Sequence, residues 1–244
     1  MIGARHVLLV GALAIAGCGG DGPDSPDGAD VTADTTVEPA VERAAAIAAA
    51  IDVRSDGCGP RVGFGTGSVI AEDVVVTAAH VGAGATAVEL IDSDGSSAAG
   101  VVVLFDPDLD LAVIRAESPI GTPLAPRPRE AAEGEAGIVV LPRLAEDEML
   151  VEVANITVVR EAVIRTTDIY LEDPVRRDGF EVEGSVDPGD SGAMVVLPGG
   201  GAGIVWARSN VNERRAWAID LPSDVLDGTA AGLTAPVDLG PCIR

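Results

Sequence analysis

The chain has 244 residues, a formal net charge of -23 and no lysine, all 16 of its cationic residues being arginine, so a phosphate backbone meets net repulsion and nucleic acid is argued against as a partner. Hydrophobic residues make up 47% of the chain but aromatic residues only 2%, which leaves Val, Ala, Leu and Ile to fill the core and favours β structure. The length suits one catalytic unit, built as one large all-β domain or two small ones after removal of a leader.

Arg5, the apolar run over 7–16 and the small residues before Cys18 make the three parts of a secretory signal over 1–17, and that run is too short to span a bilayer. Ile15-Ala16-Gly17-Cys18 resembles a bacterial lipobox. That resemblance implies cleavage before Cys18, a diacylglyceryl group on its sulfur, and a protein exported to the cell envelope and anchored to a membrane through that lipid. The alternative is ordinary secretory cleavage with Cys18 left free. Residues 18–40 are rich in Gly, Pro, Asp, Ser and Thr and carry only negative charge, which predicts a flexible tether. The Ala-rich run 41–51, with Pro39 near its start, predicts a short helix leading into the first strand. With Cys18 set aside, Cys58 and Cys242 remain as an even pair and are expected to form a disulfide; two buried free thiols are the alternative.

Beyond residue 51 come short Val-rich or alternating stretches punctuated by Gly, Asp, Asn and Pro. Strands are predicted over 62–70, 74–77, 87–91, 101–105 and 111–115. A Pro- and Glu-rich connection follows at 118–135. A second series is predicted over 137–141, 150–153, 156–159, 163–167, 180–182, 193–197, 203–207 and 215–219. No helix–strand alternation suggests a parallel sheet, so barrels or a sandwich are expected, the first unit over about 51–117 and the second over about 136–222.

Three short segments carry chemistry. His80 is the only imidazole left once the leader with His6 is removed, and it follows the apolar run Val74-Val75-Val76 behind the small residues Ala78 and Ala79. Asp110 stands at the lip of the apolar strand Leu111-Ala112-Val113-Ile114, where a carboxylate can orient an imidazole; Asp106 and Asp108 fit turn roles better. In Asp187-Pro188-Gly189-Asp190-Ser191-Gly192, glycines on both sides of a serine permit a tight turn that exposes its hydroxyl, and the N–H groups of Gly189 and Ser191 are the natural donors of an oxyanion hole.

Thr77-Ala78-Ala79-His80, Asp110-Leu111-Ala112 and Gly189-Asp190-Ser191-Gly192 together resemble the three signatures of trypsin-like serine peptidases, and the order His, Asp, Ser is that family's order rather than that of subtilisin-like enzymes or α/β-hydrolases. The resemblance runs from about residue 51 to the C-terminus. It implies two antiparallel six-stranded β-barrels, a His80–Asp110–Ser191 triad in the cleft between them, and endopeptidase chemistry on polypeptides through an acyl-enzyme. It also implies a specificity pocket framed by Ser185 and by Val205, Trp206, Ala207 and Arg208. Ser185 in place of an aspartate argues against basic side chains there and favours apolar or small ones, with Arg208 more readily a solvated cation than a pocket cation. No Ile-Val-Gly-Gly-like terminus precedes Val62-Gly63-Phe64-Gly65, which argues against zymogen activation and leaves the partner of Asp190 open: an arginine, backbone N–H groups or solvent. A catalytically silent binding lipoprotein of the same fold is the alternative function. A quality-control peptidase is disfavoured because no PDZ-like segment follows. No cofactor and no metal site are expected, an Asp-rich loop at 92–95 reading better as a turn than as a calcium site, and the protein is expected to be a monomer.

Overall fold

A computed structural model describes residues 38–59, 62–146, 148–222 and 232–243. The predicted signal, the lipobox at Cys18 and the tether up to residue 37 lie outside these residues.

Helix α1 (Glu38–Ala49) leads directly into β1 (Ala50–Asp56). There follow β2 (Gly63–Ala71), β3 (Val74–Thr77), a single-turn helix α2 (Ala79–Gly82), β4 (Ala87–Asp92), β5 (Ser97–Asp106) and β6 (Leu111–Ala116). After the connection come β7 (Ala136–Ala145), β8 (Glu148–Thr167), β9 (Pro174–Gly184), β10 (Met194–Leu197), β11 (Gly200–Arg208) and β12 (Arg215–Asp220). Strands β1 to β6 close one antiparallel barrel in the order 1-2-3-6-5-4, and β7 to β12 close a second in the order 10-11-12-9-8-7. The predicted class, all-β with two six-stranded barrels, is the observed one.

Many strands read as unbroken apolar runs because both their faces are covered. Val75, Ile114 and Leu90 point into the first barrel, while Val74, Val76, Leu111 and Val113 point into a core shared with Val140, Met194, Val196, Ile204 and Ile219 of the second. Val139, Leu141, Val195 and Leu197 fill the second barrel around Phe180. Period-2 alternation thus sorts side chains between a barrel interior and the seam between barrels.

Two elements differ from the sequence prediction. The run predicted as helix over 41–51 stops at Ala49, and the next seven residues form β1, whose short alternation of Ile51 and Val53 with charged residues runs on from the helix without a break. Its charged members explain this: Asp52 accepts the Leu144 N–H of β7 at 3.1 Å, and Arg54 donates to the Leu144 carbonyl at 2.7 Å. Polar residues in β1 join the two barrels instead of facing water. The three pieces predicted over 150–167 are one 20-residue strand, β8, with a bulge between Val158 and Arg160. β8 pairs with β7 only as far as Thr157, and β12 reaches β9 only from Gly179 to Glu183, so residues 163–167 and 174–178 run on as a two-stranded ribbon. At the ribbon's tip the Ile169 N–H donates to the Pro107 carbonyl of the first barrel at 3.2 Å.

The expected disulfide is present between Cys58 and Cys242 and spans 184 positions. Near it, the Gly84 N–H donates to the Leu239 carbonyl at 2.9 Å and the Val237 N–H to the Val102 carbonyl at 3.1 Å. The segment 232–243 is therefore fastened to the first barrel, beside the end of α2.

Candidate active site

His80 sits in α2 immediately after β3. Ala78 and Ala79 are fully buried, so only small side chains let the turn lie against the barrel wall, and the Ser55 hydroxyl fixes it by donating to the Val81 carbonyl at 2.7 Å. The His80 N–H donates to Asp110 Oδ1 at 2.9 Å, and ring Nδ1 lies 2.8 Å from Asp110 Oδ2 and 3.0 Å from Oδ1. A carboxylate that accepts both the backbone and the ring of one residue sets the position and the rotation of the imidazole together. It also assigns the ring proton to Nδ1, leaving Nε2 as the basic nitrogen.

Asp110 is 3% exposed and adopts φ 62, the left-handed region that Asp tolerates better than most non-glycine residues. The turn before it is closed by Asp106, whose Oδ1 accepts the N–H groups of Asp108 and Leu109 at 2.9 and 2.8 Å. Asp106 thus does the turn work and leaves the Asp110 carboxylate free for His80. A third neighbour comes from the second barrel: Arg177 NH1 is 3.9 Å from Asp110 Oδ2.

Ser191 lies in the loop between β9 and β10. Two glycines shape that loop. Gly192, at φ 88, has backbone atoms of Thr66 and Ala78 where a Cβ would stand, and Gly189, at φ 102, has the Phe64 ring there. The loop is tied to β2 of the first barrel, since the Thr66 N–H donates to the Ser191 carbonyl at 2.8 Å and the Thr66 hydroxyl to the Gly189 carbonyl at 3.1 Å. On its other side, Gly192 donates to the Val205 carbonyl of β11 at 2.7 Å. The N–H groups of Gly189 and Ser191 have no protein acceptor among the described residues. The Ser191 hydroxyl makes no hydrogen bond to His80 among them either.

The partner of Asp190 comes from both of the protein sources left open by the sequence. Its carboxylate, 1% exposed, accepts the Asp187 N–H at 2.6 Å through Oδ2 and pairs with Arg143 of β7 through Oδ1. Burial pushes the Asp190 carboxyl above its ordinary value, while the Asp187 N–H and Arg143 pull it back toward the ionised form.

Around the expected specificity pocket, Ser185 is exposed just after β9, Val205 is buried in β11, and Trp206 and Ala207 are half-buried beside it. Arg208 donates to Asp187 Oδ1 at 2.9 Å, on the loop that precedes Ser191. Asp92 behaves as a turn residue, its Oδ1 accepting the N–H groups of Asp94 and Ser96. Among the described residues no three His, Cys, Asp or Glu side chains converge to hold a metal ion.

Sequence reasoning does not single out Thr66, Phe64, Arg143 or Arg177. For Arg177 a signal exists: two-residue alternation in β9 sets it on the same face as the buried Gly179, away from the exposed Arg176 and Asp178. Thr66 reaches Gly189 across 123 positions and Arg143 reaches Asp190 across 47, and no local pattern carries such contacts.

Residues 65–202 match the profile of the trypsin-like peptidase domain. Two curated relatives, "Serine protease MT3772" and "Serine protease Rv3671c" from two strains of Mycobacterium tuberculosis, are each 31% identical over 182 residues, which is 73% of this chain. The chain spans 45% of the length of those relatives. Among solved structures, the active form of the Rv3671c protease from M. tuberculosis superposes with a TM-score of 0.75 at 25% identity, covering 86% of this chain and 92% of that one. The inactive form of the Rv3671c protease superposes with a TM-score of 0.62 at 26% identity, covering 83% and 97%.

Proposed function

Because the chain belongs to the trypsin-like peptidase family, we propose that it is a serine endopeptidase in which Ser191 is the nucleophile, His80 the general base and acid, and Asp110 the residue that orients the imidazole. The observation that carries this reading is the doubly held His80: a carboxylate buried at 3% exposure accepts both its N–H and its ring Nδ1, which turns the basic Nε2 toward a reacting partner.

Ser191 Oγ attacks the peptide carbonyl carbon while His80 Nε2 takes its proton, and the imidazolium so formed is stabilised by Asp110. The carbonyl oxygen gains negative charge and receives the N–H groups of Gly189 and Ser191, which are free of other acceptors among the described residues. Collapse of the tetrahedral intermediate breaks the C–N bond, and the amine leaves with the proton from His80. A water then gives its proton to His80 as it attacks the acyl-enzyme, and a second collapse releases the acid and restores the Ser191 hydroxyl. The loop ties from Thr66 and the pairing of the buried Asp190 with Arg143 support an oxyanion hole that is formed before substrate arrives, without a new N-terminus from proteolysis.

Arg208 is engaged by Asp187, which favours an apolar or small side chain before the scissile bond over an acidic one. Export, lipid attachment at Cys18 and a monomeric catalytic domain from 41 onward complete the reading, and mass spectrometry of the intact N-terminus tests the lipid.

A fluorophosphonate probe tests the chemistry: it labels the folded protein, and Ser191→Ala abolishes both the label and the cleavage of a peptide library. Folded wild-type protein that takes no label overturns the enzyme reading in favour of a silent binding module.

A further inference from the structure

Arg177 is 2% exposed, which is unusual for a guanidinium, and each of its groups has a defined neighbour. Nε donates to the Asp108 carbonyl at 2.7 Å, NH2 to the Thr167 carbonyl at 3.4 Å, and NH1 faces Asp110 Oδ2 at 3.9 Å. The guanidinium lies over the Trp206 ring, 4.5 Å from its centroid. Trp206 follows Val205, whose carbonyl receives the Gly192 N–H next to the nucleophile. One side chain from the ribbon therefore touches the turn that carries Asp110 and the strand that supports Ser191.

We infer that Arg177 is a positioning residue for the Asp110–His80 pair: held by two carbonyls and a ring stack, it fixes a positive charge beside the carboxylate from the opposite barrel. The inference rests on the triad reading given above. At 3.9 Å the guanidinium is beyond hydrogen-bond distance, so it leaves both Asp110 oxygens to the backbone and ring of His80. It acts through its field, which is weakly screened in a site this dry. A neutral side chain would free the carboxylate charge to favour the protonated imidazole, and it would remove the strut that keeps the Asp108–Asp110 turn against the second barrel. The other charged groups facing Arg177 are Asp106 and Asp108 of the turn and Asp168 at the ribbon tip, all acidic, and they act in the same direction on the guanidinium as Asp110 does. Burial pulls the Arg177 group down from its ordinary value and these carboxylates push it back, so it stays charged at any pH where the enzyme works.

The test measures the His80 ring by NMR titration in the full chain carrying Ser191→Ala, where no turnover occurs, its resonance being identified by loss in His80→Gln. In Arg177→Met the His80 midpoint moves up by about half to one pH unit, and in otherwise wild-type protein the acid limb of kcat/KM moves up with it. kcat/KM falls by about tenfold, the scale of coupling between neighbouring groups. Arg177→Lys, which keeps the charge, returns the midpoint to the wild-type value. If the Met variant does not fold, Arg177→Gln carries the same expectation, because its amide still donates to a carbonyl. A folded neutral variant whose His80 midpoint coincides with that of the parent overturns the inference and leaves Arg177 a tie between barrels. Failure of the triad reading registers elsewhere, as cleavage that survives Ser191→Ala, and leaves the titration midpoints as they are.

Discussion

The two barrels have the same strand count and closure, yet they hold their halves of the site by different means. In the first, His80 and Asp110 sit on a tight turn and a strand end, joined directly to each other, with Cys58–Cys242 and the fastened segment 232–243 close behind. Their geometry is local and its backing covalent. In the second, Ser191 sits on a loop whose shape depends on distant partners: Thr66 of the other barrel, and an ion pair between Asp190 and a half-exposed Arg143. The first half of the site is joined by direct bonds within its own barrel and braced by Arg177 of the other, while the second is conditional on the Arg143–Asp190 pair.

That contrast is sharpest at Arg143. Arg143→Ala leaves the buried Asp190 carboxylate with only the Asp187 N–H as partner. The expected result is a fall of at least about 100-fold in fluorophosphonate labelling rate, the scale of losing an oxyanion donor, with the His80 titration unmoved. An unchanged labelling rate would break the comparison, because the loop would then hold itself.

Removing the disulfide probes the first barrel. Cys58→Ser with Cys242→Ser lowers stability by about 2–5 kcal/mol, a drop of about 5–15 °C in Tm at this chain length, measured by calorimetry. Labelling of the protein that remains folded at 25 °C stays within a fewfold of wild type. Loss of labelling without loss of Tm would mean that the bond serves the catalytic geometry and not the barrel.

The smallest effect is expected at Asp220, in the second barrel away from Ser191. Burial, reinforced by Glu130, Asp178 and Glu161, pushes its carboxyl up to about 6. The fold therefore prefers the protonated form: the stabilisation is complete below the unfolded value of about 4 and is lost as pH rises through 6. Asp220→Asn raises Tm by about 2–4 °C at pH 8, corresponding to about 1 kcal/mol after allowance for partial exposure, and by nothing at pH 4. Labelling by the probe is unchanged at both.

Both barrels are legible from sequence because their strands are Val-rich and bounded by turn residues, and the proposed triad is legible because its three members lie in short motifs with restricted neighbours. β1 is not, since its alternation of Ile51 and Val53 with Asp52 and Arg54 is short and runs on from the Ala-rich helix without a break, and the partners of those charges at Leu144 are about 90 positions away. The unity of β8 is hidden by Asn155 and by the charged residues Arg160, Glu161 and Arg165, which read as breaks but are exposed side chains of a continuous strand. Asp190 can be recognised as needing a partner, but which arginine answers it depends on how β7 is placed, information that exists only after the second barrel closes.

The bond between Cys58 and Cys242 encloses β2 to β12 and all three proposed triad members in one covalent ring, leaving only β1 of the two barrels outside it. A single internal cut between those two positions, including one made by the enzyme on another copy of itself, therefore does not part the chain. The nicked molecule keeps its mass apart from one added water and migrates as one band on a denaturing gel until a thiol reductant is added, whereas a cut before Cys58 gives two bands with or without reductant. Damage inside the ring is hidden and damage outside it is release, so gels run with and without reductant tell the two histories apart.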